Sequence, residues 1–342
     1  MGSARSVWLA LILVSVGVLA GTAWEFAAFG WHPAREEPAL FGPYHVVRTA
    51  ACALAAGLLV SLIEACRSEQ AAHRAPRGRF SAMTVAVSLF LSAAFVAVFI
   101  VHPAAFHRLA GEDHAVEWVS AGLLFAGCAL VLAGAARGHR GLPRLDLLIC
   151  LVLAGGYFGM AMEEISWMQR VIGYSTPEAI AGRNWQGEFN LHNFQTDLAE
   201  LVYYSASGVF LIMLPLLAEA IPNWPPFKRF SMFIPGRTTA AIAAPSVLFT
   251  YGQWNLLPVQ IVCFAGFFAL LAFARASRRA ADKQLFLAHA GVVALGAAGF
   301  LALGHKMLDV PDASEFKELF VSLGLASFAI ELWRRTGQSS PR

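Results

Sequence analysis

Long apolar stretches recur along almost the whole chain and leave few folds open to it. A helix needs roughly 20 mainly apolar residues to cross the hydrocarbon core of a bilayer. Inside that core the backbone must satisfy its own hydrogen bonds, which an α-helix does within a single segment. The sequence therefore predicts an all-α fold, a polytopic transmembrane helix bundle of about ten spans that forms one integral membrane domain over residues 1–342. The predicted spans are 7–29, 45–64, 81–103, 115–136, 147–164, 198–221, 239–253, 257–274, 284–304 and 315–333.

The composition excludes an ordinary soluble domain. Hydrophobic residues make up 58% of the chain and charged residues 14%, whereas soluble proteins carry about 25% charged residues. The mean hydropathy is +0.59. The weakest predicted span is the seventh, 239–253, because it is short and contains Pro245. It is expected either to cross alone or to form a broken pair with the eighth.

The charged residues predict an orientation for the bundle. With the N-terminus in the cytoplasm, every cytoplasmic loop is basic and most of the 25 Lys and Arg residues lie on that side, whereas most of the 22 Asp and Glu residues lie outside. Lys and Arg favour cytoplasmic loops, so we expect a multi-pass protein of the bacterial inner (plasma) membrane with both termini cytoplasmic. The basic residues are scattered over short loops, so the lipid bilayer is the expected partner and nucleic acid is not.

The segment between the fifth and sixth spans is unusually polar. It reads EEISWMQRVIGYSTPEAIAGRNWQGEFNLHN over residues 163–193. A short helix is predicted to end near Gly182, and polar and apolar residues alternate over 184–192. In an extended chain, alternate side chains point to opposite sides, so one edge would carry the polar groups. We predict a structured extracytoplasmic cap over 174–196.

Two adjacent carboxylates at the end of the fifth span, Glu163 and Glu164, are the strongest chemical signal. Charged residues at membrane depth usually face protein or water and have a function. A general acid or base would suit them, with His192 as partner, but a buried network that holds the cap in place explains them equally well. If the helix continued, Trp167 and Arg170 would share the face of Glu163. The predicted catalytic residues are Glu163, Glu164 and His192, and the predicted substrate-binding residues are Trp167, Arg170, Asn184, Gln186, Glu188 and Asn190.

Ionisable residues at other helix ends, among them Glu117 and Glu318, are expected at the same depth. Glu178, Asp197 and Glu200 are interpreted as residues of helix starts with no part in the site.

A metal site is a further hypothesis. His305 and Asp309 are four residues apart, so a continuous helix would place them on one face. Together with His192 they could bind a divalent metal such as zinc or manganese. The polarity of helix ends is the simpler explanation, and the chain contains no HExxH motif.

The polar segment resembles a family of uncharacterised multi-pass bacterial membrane proteins. The motifs that carry the resemblance are EExSWxQR at 163–170, TPE at 176–178, NxQGExNxHN at 184–193 and EDxxVEW at 112–118. Members tend to have Gly where this chain has Met168. The resemblance implies a membrane fold for most of the chain and implies no activity.

Three functions remain open at this point. The leading hypothesis is a membrane-embedded hydrolase or transferase whose outward-facing polar site acts on a lipid or a lipid-linked headgroup. A transporter or channel for a small solute or ion would also use ionisable groups at membrane depth. A non-catalytic assembly or scaffold protein would use the polar cap to bind a partner.

Overall fold

The described part of the protein is helical and contains no β-strand. The structure, a computed structural model, describes residues 2–29, 36–67, 79–111, 114–183, 187–191, 194–307 and 313–338. The predicted all-α fold class is therefore confirmed for the described residues. The helices are α1 (Gly2–Phe29), α2 (Pro43–Ala65), α3 (Arg79–Val101), α4 (Pro103–Leu109), α5 (Ala115–Gly138), α6 (Arg144–Glu164), α7 (Gln169–Ile172), α8 (Glu178–Ala181), α9 (Thr196–Gly208), α10 (Leu214–Ala220), α11 (Pro225–Arg229), α12 (Arg237–Ala243), α13 (Leu257–Ala276), α14 (Ala280–Leu303) and α15 (Ser314–Gln338).

Eight of these elements are long and apolar enough to cross a membrane. They are α1, α2, α3, α5, α6, α13, α14 and the continuous α9–α10 element, Thr196–Ala220, whose middle turn is a π-helix at Val209–Met213. Many of their large apolar side chains are exposed on the outside of the bundle, as expected for helices that face lipid.

One end of the bundle is held together by arginines, and we call it the arginine end. Arg67 contacts both Glu64 and Glu219, Arg237 donates to Glu219 over 2.5 Å, and Arg275 donates to Glu64 over 2.6 Å. Burial lowers the pKa of the Arg67 guanidinium, but its bonds to the two carboxylates outweigh burial, so the pKa lies above its ordinary value. These contacts join the ends of α2, α10 and α13 to the start of α12.

The opposite end, which we call the glutamate end, brings together the end of α1, the start of α2 and the chain before α13. Glu25 and Arg48 form a buried ion pair, and Arg48 also donates to the carbonyl of Asn255 over 2.8 Å. Asn255 accepts from the amide of Leu40 over 2.9 Å.

The seventh predicted span does not form one helix. α12 ends at Ala243, a 3₁₀ turn follows at Ala244–Val247, and the chain then runs in turns to Leu256. Residues 239–250 are all buried, so this irregular backbone is surrounded by protein, which is what makes it tolerable at membrane depth. We call 237–256 the broken segment. It begins at the arginine end beside Glu219 and reaches Glu200 at the glutamate end.

α15 lies in the middle of the bundle and packs mainly on α5 and α12. It also runs from end to end: Lys317 donates to Gln253 at the glutamate end, and Glu331 accepts from the amide of Gly236 over 2.8 Å at the other. Its several charged residues keep it out of the set of eight apolar helices.

Small residues allow this close packing. A Cβ on Gly127 of α5 would lie 2.6 Å from the ring of Tyr157 on α6, and one on Gly324 of α15 would lie 2.6 Å from Ala243 of α12. Small residues at helix contacts let backbones approach closely in membrane proteins. Tyr157 uses the space to donate its hydroxyl to the carbonyl of Leu325 over 2.6 Å.

Candidate functional site

The chain leaves α6 through a left-handed turn. α6 ends at Glu164. After Ile165, the three residues Ser166, Trp167 and Met168 have φ of 44°, 55° and 65°. This conformation is sterically unfavourable for residues with a Cβ, and glycine adopts it without that cost. The prediction that Glu163, Trp167 and Arg170 share one helix face is therefore wrong, because no continuous helix carries them.

Glu163 fastens the cap to the end of α6. Its Oε1 accepts from Nε1 of Trp167 over 2.6 Å, and its Oε2 accepts from the amide of Leu191 over 2.7 Å. Both carboxylate oxygens are thus engaged by the loop. The contacts favour the structural interpretation of this residue over the catalytic one.

Glu188 fastens the cap a second time. Arg170 donates to Glu188 Oε1 through Nε over 3.0 Å and also through Nη2, and Ser166 donates its hydroxyl to Oε2. The side-chain amide of Asn190 donates through Nδ2 to the Ser166 hydroxyl over 3.2 Å. Glu188 and Asn190 do face the same side, as the alternation predicts, but residues 187–191 form bends and not a strand.

Gln169 completes the cap. Its Oε1 accepts from the amide of Phe189 over 2.8 Å, and its Nε2 donates to the Thr176 hydroxyl over 2.7 Å. The Tyr174 hydroxyl donates to the carbonyl of Trp167 over 3.1 Å. The predicted short helix is α8, and Gly182 ends it.

The metal hypothesis has no support in the described residues, where no group of three or more His, Cys, Asp and Glu side chains is arranged to hold a metal ion. His305 is exposed and lies in a 3₁₀ turn, Gly304–Lys306. Four of the predicted site residues lie outside the described residues, and their roles stay predictions: Asn184, Gln186, His192 and Asp309.

Glu164 turns away from the cap into a different set of side chains. It lies close to Glu318 and Glu315 of α15 and to Glu117 of α5. Tyr203 of α9 lies close to both Glu164 and Glu318. Half-buried carboxylates from five parts of the chain thus meet at the glutamate end, and we call them the carboxylate cluster: Glu36, Glu117, Glu164, Glu200, Glu315 and Glu318.

Gln253 of the broken segment organises one half of the cluster. Its Nε2 donates to Glu200 over 2.8 Å and to Glu36, so the two glutamates share one donor. Its Oε1 accepts from the ammonium of Lys317. The Lys317 nitrogen also lies 4.3 Å from the centre of the Tyr204 ring.

The other half of the cluster is the Glu164–Glu318 pair. The Tyr204 hydroxyl donates to Glu318 Oε1 over 2.7 Å. Two pairs of neighbouring glutamates, an ammonium and two tyrosines therefore lie together at one end of the bundle.

Part of this constellation could not be read from the sequence. Glu164, Glu117 and Glu318 were expected at this depth, but the interpretation of Glu200 as a mere helix-start residue is wrong, because it bonds Gln253. Lys317 and Gln253 were missed. A lysine between two glutamates at the start of an apolar helix was the available signal for Lys317.

The cluster lies between two helices that do not pack extensively on each other within the described part of the chain. α6 packs on α5, whereas α9 packs on α13 and on the broken segment. Glu164 and Tyr203, which come from α6 and α9, remain half-buried. Part of each of these two residues is therefore accessible from outside the helices.

Comparison with known proteins adds no family: no family model, no curated protein and no solved structure matches the chain. The resemblance of the cap motifs to a membrane-protein family stays a prediction.

Proposed function

We propose that the protein is an integral membrane enzyme that acts on a lipid or a lipid-linked headgroup, by hydrolysis or group transfer, with the Glu164–Glu318 pair as its general acid and base. The observation that carries the proposal is the close approach of two half-buried carboxyl groups from different helices, Glu164 of α6 and Glu318 of α15. Paired carboxyl groups whose surroundings differ are a recurrent way to divide acid and base roles.

The two carboxyl groups differ in their surroundings. The Tyr204 hydroxyl donates to Glu318, and we assign Glu318 as the base that takes a proton from water or from a substrate hydroxyl. We assign Glu164 as the acid that gives a proton to the leaving group. Acid–base catalysis of this kind contributes about 10²–10⁴-fold to a rate.

A lipid headgroup fits the location of the pair. The proposed approach follows α6 and α9, which expose apolar side chains such as Phe158 and Val202. Acyl chains could remain in the bilayer along these helices while the headgroup reaches the carboxyl pair. The glutamate end is extracytoplasmic in this proposal, because the arginine end carries the basic residues that favour the cytoplasm. α15 and the broken segment complete ten crossings of the bacterial inner membrane, with both termini cytoplasmic.

The test is turnover by purified protein in lipid nanodiscs that contain total bacterial lipid extract, followed by mass spectrometry of the lipids. We expect headgroup loss or exchange with the wild type and a loss of about 10²–10⁴-fold with Glu164→Gln or Glu318→Gln. Glu178→Gln is the matched control, since Glu178 is an exposed carboxylate on the cap outside the cluster. A lipid profile that the wild type leaves unchanged, or folded Gln variants with full turnover, would refute the enzyme.

One observation favours a transporter as the second candidate. The broken segment is irregular, fully buried over 239–250, and ends beside the carboxylate cluster at Gln253. Secondary transporters often bind solutes and coupling ions where membrane helices are interrupted. Proton uptake by proteoliposomes, measured with an internal pH-sensitive dye, would support transport if it disappeared with Gln253→Leu and persisted with Glu178→Gln.

A further inference from the structure

A small pocket lies behind the carboxylate cluster, between α9, the broken segment, α13 and α15. Its lining residues are Lys317, Tyr204, Ser205, Ser246 and Thr250, together with three valines. The space for a guest is on the scale of one water molecule or one monatomic ion. None of the carboxylates of the cluster lines it.

Lys317 is the charged group of this pocket, and only 3% of the residue is exposed. An ammonium can donate three hydrogen bonds. In the described part of the protein Lys317 makes one, to the amide oxygen of Gln253, and its remaining close contact is the Tyr204 ring. Two donors of a buried ammonium are therefore left for a guest in the pocket that Lys317 lines.

Two hydroxyl-bearing residues of the lining also have unused hydrogen-bonding capacity. Thr250 Oγ1 and Ser205 Oγ are buried and have no hydrogen-bond partner among the residues that the structure describes. Thr250 is only 2% exposed. A buried polar group without a partner destabilises the fold, so an acceptor in the pocket would relieve this loss at three donors together.

The nearby carboxylates do not fill this role. Glu36, Glu200 and Glu318 interact electrostatically with Lys317, but none of them forms an ion pair with it within 4.0 Å in the described chain. Gln253 engages Glu36 and Glu200, and Tyr204 engages Glu318. Buried charges at membrane depth normally have a partner of opposite charge. The ammonium lacks such a partner in direct contact.

We propose that this pocket binds one small monovalent anion of halide size, held by Lys317, Thr250 and Ser205. The lining offers an ammonium and hydroxyl donors and no carboxylate, which suits an anion, and the valine walls suit a weakly hydrated one. The bound anion neutralises Lys317 and ties α15 to α9 and to the broken segment. The site is separate from the proposed acid–base pair and does not depend on the enzymatic role.

The test measures thermal unfolding of the purified full-length protein in detergent with increasing sodium chloride, and sodium gluconate keeps the ionic strength constant. Gluconate is too large for the pocket, so it serves as the matched salt. At a chloride concentration of ten times Kd, we expect a rise in Tm of about 2–4 °C for the wild type, and above Kd the rise should grow with the logarithm of the chloride concentration. Sodium bromide should raise the Tm in the same way as sodium chloride.

Two variants assign the effect to the pocket. Thr250→Val and Lys317→Met should lose the chloride-specific rise, whereas Thr336→Val should keep it, because Thr336 is an equally buried threonine at the arginine end that bonds the carbonyl of Trp333. If Lys317→Met does not fold, Thr250→Val decides the question. The proposal is overturned if chloride and gluconate act alike on the wild type, which would leave the pocket to water, or if Thr250→Val retains the full chloride effect.

Discussion

Replacing Met168 by glycine should stabilise the cap, although glycine usually weakens a protein. Met168 has φ 65° and ψ 15°, in the left-handed region. This conformation costs an L-residue about 1–2 kcal/mol relative to glycine. Glycine avoids this cost, but it loses more backbone entropy than alanine on folding, and that loss offsets about 0.5–1 kcal/mol of the gain. Met168→Gly should therefore hold the cap about 0.5–1 kcal/mol more tightly than Met168→Ala, a comparison in which both variants lack the thioether.

Hydrogen exchange of the cap measures this difference directly. The amides of Phe189 and Leu191 are bonded to side chains on either side of the left-handed turn, those of Gln169 and Glu163. A gain of 0.5–1 kcal/mol corresponds to exchange that is about two- to fivefold slower in a peptide covering 187–191. The measurement compares Met168→Gly with Met168→Ala by mass spectrometry.

A second methionine gives the control. Met162 lies within α6, where glycine is about 0.5–1 kcal/mol worse than alanine. Met162→Gly should therefore exchange faster than Met162→Ala in peptides from α6, with the opposite sign. If Met168→Gly exchanged as fast as Met168→Ala or faster, the left-handed turn would not be the conformation that holds the cap.

Two further predictions concern packing and orientation. Gly127→Ala should destabilise the protein by about 1–3 kcal/mol, because its Cβ would press on the Tyr157 ring at 2.6 Å. Gly122→Ala on the same helix meets nothing within 4 Å and should be neutral or stabilising in thermal unfolding; equal losses at both sites would contradict the packing of α5 on α6. Cys66 is an exposed cysteine at the arginine end, so a membrane-impermeant thiol reagent should label it in inverted vesicles and not in intact cells. Ser175→Cys on the cap should label in intact cells, and labelling of Cys66 there would reverse the proposed orientation.

The cap and the carboxylate cluster have different roles in this protein, although adjacent residues start them. Glu163 and Glu188 are engaged by the loop they hold. Glu164 points the other way, into a cluster supplied by α5, α9, α15 and the chain before α2. Successive residues on a helix differ in direction by about 100°, which is why two neighbouring carboxylates can serve a fold and a site separately.

The sequence by itself determined the class of the protein, the positions of its long apolar helices and the difference in charge between the two ends. These follow from local composition, because the bilayer requires long apolar helices whatever their neighbours are. It also marked Glu163, Glu164 and Glu188 as residues that need polar partners.

Only the tertiary structure decided which partners they have. The turn after Glu164 becomes left-handed because the cap bonds hold it there, and no periodicity in Ser166, Trp167 and Met168 predicts that. The cluster at the glutamate end joins residues as distant as Glu36, Glu200 and Glu318, which α15 and the broken segment bring together. The contacts of Gln253 and Lys317 also come from other parts of the chain. Tertiary packing determines which groups lie beside these side chains, and the local sequence does not.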